Sequence, residues 1–97
     1  MAKAYWVTTY RTITKPHKMA AYGELSVPAI IAAGGKILAR GMPSKVYDSG
    51  IVERVVVIEF PSVEDAVKAH DSPAYQAALA ALGDGADRDI RIVEGQP

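Results

Sequence analysis

The spacing of apolar positions along the chain alternates between a two-residue and a three-to-four-residue period, and each change marks an element. Residues 4–12 concentrate Tyr5, Trp6, Val7, Thr8, Thr9 and Tyr10, aromatic and β-branched side chains that suit a strand. Thr14, Lys15 and Pro16 then offer an N-cap and a proline for a first helical turn. Met19, Tyr22, Ser26, Ala29, Ile30 and Ala33 follow three or four residues apart. This spacing predicts a helix stopped by Gly34-Gly35 and bent near Leu25, where Pro28 removes a backbone donor. Residues 36–40 read as a short strand interrupted by Gly41-Met42-Pro43, with pairing resumed over residues 45–47. Beyond the turn signal Asp48-Ser49-Gly50, residues 52–60 (VERVVVIEF) make the strongest strand, apolar on both faces.

The second half repeats the order. Ser62-Val63-Glu64-Asp65 is close to a capping box, with Asp where Glu or Gln is usual, and Val63, Ala66, Val67 and His70 share one face of the helix it starts. Ser72-Pro73 reads as a second N-cap with proline at the first position. An alanine-rich helix therefore begins there at an angle, and Gly83-Asp84-Gly85 stops it. Residues 89–94 (DIRIVE) alternate as a last strand. The order is βαββαβ with a broken second helix. Right-handed crossovers then give an α+β, ferredoxin-like subunit: a four-stranded antiparallel sheet of order 4-1-3-2 with the helices on one face. One domain is expected over residues 1–97. Helices on one side leave the other face of the two-faced strand uncovered, and a partner subunit is the most economical cover.

Composition narrows the chemistry. The 97 residues are 49% hydrophobic and 23% charged, enough for a single core. Eleven Lys+Arg balance eleven Asp+Glu, so no surplus of positive charge favours a nucleic acid or an anionic membrane. With no cysteine there is no disulfide, thiolate nucleophile or thiolate metal site, which suits a reducing cytoplasm. Neither a signal-peptide core nor a run of apolar residues long enough for a membrane span is present, so the chain is expected to be the whole mature protein. Gly34-Gly35-Lys36 lacks the spacing and the Ser or Thr of a phosphate-binding loop. No G-x-S-x-G elbow or G-x-G-x-x-G turn occurs, and His17 and His70 stand far apart. No metal and no cofactor is predicted.

The sequence runs AYW at residues 4–6, the Pro28 helix closing in Gly34-Gly35, LARG at 38–41, VVVIEFPS at 55–62, SPAYQ at 72–76 and IVEG at 92–95 resemble the small bacterial proteins grouped as domain of unknown function 1330. The resemblance covers nearly the whole chain and is most specific over residues 54–76. It implies a dimeric α/β barrel, in which two ferredoxin-like subunits pack sheet to sheet, and it assigns no reaction. The chain departs from the family in carrying Lys15 before Pro16, where an acid is expected, and His70-Asp71 before Ser72, where an aromatic and Asn are expected.

A few side chains are candidates for chemistry. His70 is the candidate catalytic acid or base, although a histidine in the last turn of a helix also complements the helix dipole. Asp71 beside it points about 100° away on a helix, so the two form no dyad unless the break at Ser72 turns them. Arg40 and Glu59, on neighbouring strands, make a structural salt bridge or a dimer contact, or they belong to a ligand site in which Arg40 serves as a fork for a ligand carboxylate. Trp6, Tyr22 and Tyr75, with Tyr10, line a pocket between sheet and helices or fill the core and the dimer interface. Glu53-Arg54 reads as a solvated strand end. Two functions follow: a homodimeric small-ligand-binding or scaffold barrel, with pairing into tetramers left open, or, by analogy with similar barrels, a cofactor-independent enzyme, monooxygenase- or isomerase-like, acting on a small aromatic or carboxylate substrate. A haem-degrading variant, with His17 or His70 as axial ligand, is the remoter third.

Overall fold

Aromatic and β-branched residues open the chain in β1 (Ala4–Ile13), which becomes the second strand from one edge of the sheet. The computed structural model describes residues 2–97; Met1, included in the expected domain, lies outside the described residues. After β1 come α1 (Pro16–Ala32), β2 (Lys36–Gly41), β3 (Val55–Phe60), α2 (Val63–Asp71), α3 (Pro73–Leu82) and β4 (Ala86–Glu94). The strands lie in the order β2-β3-β1-β4 with every pairing antiparallel, as the βαββαβ order predicts. The fold is ferredoxin-like, with the second helix divided into α2 and α3.

Local chemistry sets most boundaries. Pro16 starts α1, but the expected side-chain cap is missing. Thr14 instead donates its hydroxyl to the Asp84 carbonyl, and the Thr14 and Lys15 amides both donate to Gly85. α1 runs unbroken through Pro28: the carbonyl that loses its donor belongs to exposed Glu24, where water can satisfy it. Gly34 closes the helix at φ +96°, and Gly35 lets the chain pass Ile30 and Phe60 so closely that a Cβ would lie 2.6 and 2.8 Å from them. The Ser62 hydroxyl accepts from the Asp65 amide, a cap worth about 1 kcal/mol. At the break, the Ser72 hydroxyl donates to the Ala69 carbonyl and accepts from the Tyr75 amide, ending one helix and starting the next.

Several boundaries differ from the sequence reading. β3 starts at Val55, not at residue 52, because the Glu53 amide bonds Ile51 and the Glu53 carboxylate accepts from the Arg54 amide, which keeps this turn out of the ladder. Residues 45–47 make no strand, and Tyr47 is 75% exposed. β4 starts earlier than expected, at Ala86, since β1 is long enough to pair Ile13 with it. On α2 the buried residues are Ala66 and Ala69, while Val63 and Val67 are exposed.

The molecule is two layers deep, with Cα extents of 38 × 35 × 16 Å. All three helices cover one sheet face, and Trp6, Tyr10, Ile58 and Phe60 from that face join Met19, Tyr22, Ile30, Tyr75 and Leu82 in one core. Tyr5, Val7, Val55 and Val57 point the other way, on a face that no helix covers, with the loop of residues 43–51 standing beside its Val55 end. Around them stand the Lys3–Glu59, Arg11–Asp87 and Arg91–Asp89 ion pairs. An apolar centre with a charged rim is the anatomy of an interface. Among the described residues no helix is long and apolar enough to cross a membrane.

One surface cluster ties the turn between α3 and β4 to the start of α1. Lys15 and Lys18 stand in or beside the first turn of α1, where cations are disfavoured by the helix dipole, and both ammonium groups bond Asp84, at 2.6 and 2.7 Å. The two lysines hold the Asp84 carboxyl well below the usual carboxylate range. A depressed carboxylate stabilises the fold above its unfolded pKa, about 4, and that contribution is lost as pH falls through the folded value. Asp84→Asn is therefore expected to lower Tm at pH 7 and to flatten the loss of Tm below about pH 4, with the difference shrinking in high salt. Parallel Tm-against-pH curves for the two proteins would contradict this.

Candidate functional site

The β1–β4 register sets Tyr10 opposite Arg88, and both side chains turn toward the helices. α1 brings Tyr22 and α3 brings Tyr75 to the same place. Arg88 donates to the Tyr10 hydroxyl at 2.9 Å and to the Tyr75 hydroxyl at 3.3 Å, and the Tyr22 and Tyr75 hydroxyls are 2.6 Å apart. The guanidinium also lies over the Tyr22 ring, 4.4 Å from its centroid, and over Tyr10 at 5.4 Å. These cation–π contacts stabilise a half-buried charge that has no carboxylate partner among the described residues.

Burial raises the pKa of Tyr75, reinforced by Tyr22 and opposed by Arg88, so this phenol stays protonated at neutral pH. Burial likewise raises Tyr10. For Arg88, burial works against the charge, but the surrounding tyrosine oxygens outweigh it and hold the pKa above the ordinary arginine range. The cluster thus sets a fixed cation among phenolic hydroxyls.

Beside it, between the sheet and α1, is a cavity of about 40 Å3, counted as space open to the centre of a water molecule. Trp6, Tyr22 and Arg40 line it, together with Arg54 and Arg88. Met19, Gly23, Val27, Arg40 and Arg54 also line a surface groove of about 680 Å3, so the cavity opens outward between α1 and the β2–β3 edge.

The structure separates the residues singled out from the sequence. Trp6, Tyr22 and Arg40 meet at the cavity, and Tyr75 supplies its hydroxyl to the cluster just behind the wall. Arg40 and Glu59 do not pair with each other. Glu59 is on the uncovered face, accepting from Tyr5 and paired with Lys3 at 3.5 Å. A bulge at Leu38 turns Arg40 to the helix side, opposite Val56. His70 packs on Trp6 and Tyr75, with ring centroids 5.7 and 5.2 Å away, in a different recess lined by Val67, Asp71, Ile90 and Ile92. Its Nδ1 is 3.0 Å from the Asp71 carboxylate, a pairing possible because α2 ends at Asp71 and the chain turns extended at Ser72. Sequence reasoning missed Arg88 and set Arg54 aside as part of a solvated strand end, whereas Tyr10, expected with the other aromatics at a pocket or in the core, does line the cavity. The one available signal for Arg88 was a lone cation between Asp87 and Asp89 at a strand position whose parity points inward. Among the described residues, no three His, Asp or Glu side chains converge as a metal-binding set.

A protein of unknown function from Rhodopseudomonas palustris superposes with a TM-score of 0.76 at 20% identity, over 99% of this chain and 84% of that one. A dimeric ferredoxin-like protein of unknown function from Thermobifida fusca superposes with a TM-score of 0.64 at 20% identity, covering 96% and 91%. SnoaB, a cofactor-independent oxygenase from Streptomyces nogalater, superposes with a TM-score of 0.67 at 9% identity, covering 100% and 96%. These likenesses establish the ferredoxin-like fold. No curated protein matches the chain by sequence. The model of the domain of unknown function DUF1330 matches residues 3–96, the same span over which the strand order and the Ser72-Pro73 break were traced, and the chain belongs to that family.

Proposed function

We propose that the protein is a homodimeric small-ligand-binding barrel, its two sheets facing each other and a ligand held between sheet and helices in each subunit. The observation that carries this reading is the cavity beside Trp6, Tyr22 and Arg40, an opening in an otherwise filled core that is continuous with a surface groove. Support for the dimer comes from the uncovered face centred on Tyr5, Val7, Val55 and Val57, and from the dimeric state of the Thermobifida fusca protein. In this reading Trp6, Tyr22 and Arg40 contact the ligand, Tyr75 orients the Tyr22 hydroxyl, and Glu59 belongs to the interface. The protein works without a cofactor or metal, inside the cytoplasm.

A second reading, a cofactor-independent enzyme acting on a small aromatic or carboxylate substrate, is favoured by the fold shared with SnoaB and by the 2.6 Å hydroxyl pair beside a fixed cation. Such a pair can pass a proton or hold a developing oxyanion. That reading keeps His70 as the candidate acid or base, acting from its own recess. Fold likeness alone assigns no reaction.

Native mass spectrometry of freshly purified protein tests the first reading. A dimer that retains a defined small organic mass, or takes one up from a library of acids and phenols and returns it unaltered, is the expected result. A ligand released chemically changed would favour the enzyme. A folded monomer, or a dimer that binds nothing from such a library, would overturn the proposal.

A further inference from the structure

The charges in the cavity wall narrow the choice of ligand. The arginines of the chain are Arg11, Arg40, Arg54, Arg88 and Arg91. Arg11 and Arg91 pair with Asp87 and Asp89 on the uncovered face. The other three line the cavity, and none of them pairs with a carboxylate among the described residues. No Asp or Glu lines the cavity; Glu24 and Glu53 stand further out, on the groove. Donors also exceed acceptors. Tyr22 and Tyr75 use one hydroxyl hydrogen between them, and Arg88 uses one N–H on each of Tyr10 and Tyr75. That leaves two phenolic hydrogens and three guanidinium N–H groups for an acceptor-only partner. An ionised carboxylate is such a partner, and its planar oxygens match the guanidinium.

Gly23 is the second, independent observation. Glycine in mid-helix is a cost relative to alanine. Neither a positive φ nor a close approach requires it here: a Cβ at this position would meet nothing within 4 Å. It lines both the cavity and the groove, so the side chain it lacks is one that would stand in the passage between them. The cavity itself is small. A water takes about 10–15 Å3 of such space, so 40 Å3 holds a carboxylate head and little more. The rest of a ligand must lie in the groove, against Met19 and Val27.

We infer that the cavity takes the carboxylate of a slender organic anion that reaches it past Gly23, with Arg88 and the Tyr10 and Tyr22 hydroxyls holding the acid and Arg40 and Arg54 flanking the passage. This deepens the ligand-binding reading and rests on it.

The test is a titration of isotopically labelled protein with sodium hexanoate and with hexanamide, its uncharged analogue, followed by NMR. Hexanoate is expected to shift the Gly23 amide and the Arg88 Nε–H saturably, with hexanamide about ten-fold or more weaker. Gly23→Ala should melt higher than wild type, and Gly23→Leu should lose hexanoate binding without melting lower. Arg88→Gln should bind the two compounds equally; if it fails to fold, Gly23→Leu still decides. Equal affinity of wild type for acid and amide overturns the anion assignment and leaves the ligand-binding reading standing. Unimpaired hexanoate binding by Gly23→Leu overturns the passage. No shift with either compound overturns the inference, and no cavity shift with a neutral fragment library as well would take the ligand-binding reading with it.

Discussion

Val57→Glu is expected to convert the proposed dimer to a monomer and to raise the dissociation constant roughly a thousand-fold, from about 2 kcal/mol of uncompensated charge burial in each of two copies. Val57 lies between Val7 and Ala39 in the middle of the uncovered face. Its direct cross-strand neighbours, Val7 and Ala39, offer a carboxylate no cation, and a symmetric interface doubles every cost. Sedimentation velocity over a range of concentrations measures the change directly. The control is Val67→Glu, on the exposed side of α2, which should leave the dimer intact. Wild-type Tm should also rise with protein concentration, as for any protein whose folded state is stabilised by association. If Val57→Glu sediments as a dimer at the wild-type concentration, the sheet face is not the interface.

Trp6→Ala should cost about 3–5 kcal/mol, a large part of the ~5–15 kcal/mol available to a domain of this size. Trp6 is 1% exposed and joins the elements of the core: it stacks on Phe60 at 6.0 Å and meets the Tyr75 ring edge-on at 5.1 Å. Its indole N–H donates to the Thr8 hydroxyl at 2.8 Å. Truncation thus leaves a cavity and removes one of the partners of a buried hydroxyl. At about 4–8 °C per kcal/mol, Tm should fall by more than about 12 °C. Because Trp6 is the one tryptophan in the chain, unfolding is followed by far-UV circular dichroism, at matched protein concentration. Trp6→Phe, which keeps most of the ring contact, should lose clearly less. A cost below about 1 kcal/mol for the alanine variant would mean that Trp6 is not the packing centre.

The two substitutions act on opposite faces of one sheet, and the difference between those faces explains what was legible beforehand. The continuous apolar run Val55–Ile58, in a strand whose successive side chains point to opposite faces, already requires both faces to be covered, and glycine, proline and serine punctuation marks where elements stop. Ser72-Pro73 dividing α2 from α3 is the clearest case, since each side of that break is set by bonds within a few residues. The site is the opposite case. Tyr10 and Arg88 are 78 positions apart, and Tyr22 and Tyr75 are 53 apart. Nothing local announces that β1 and β4 will be in the register that joins the first pair.

Arg40 shows how little separates one outcome from another. In regular antiparallel pairing from Ile37 and Ile58, Arg40 would oppose Val55 and share the uncovered face with Glu59. The extra residue at Leu38 moves it opposite Val56 and turns it to the cavity. Element order, strand order and the need for a second covering layer were therefore determined by the sequence itself, because periodicity, capping and handedness act over short stretches of chain. Which charges meet was decided only by the tertiary structure. A side chain's face depends on register, and one bulge reverses it without leaving a mark in the local pattern.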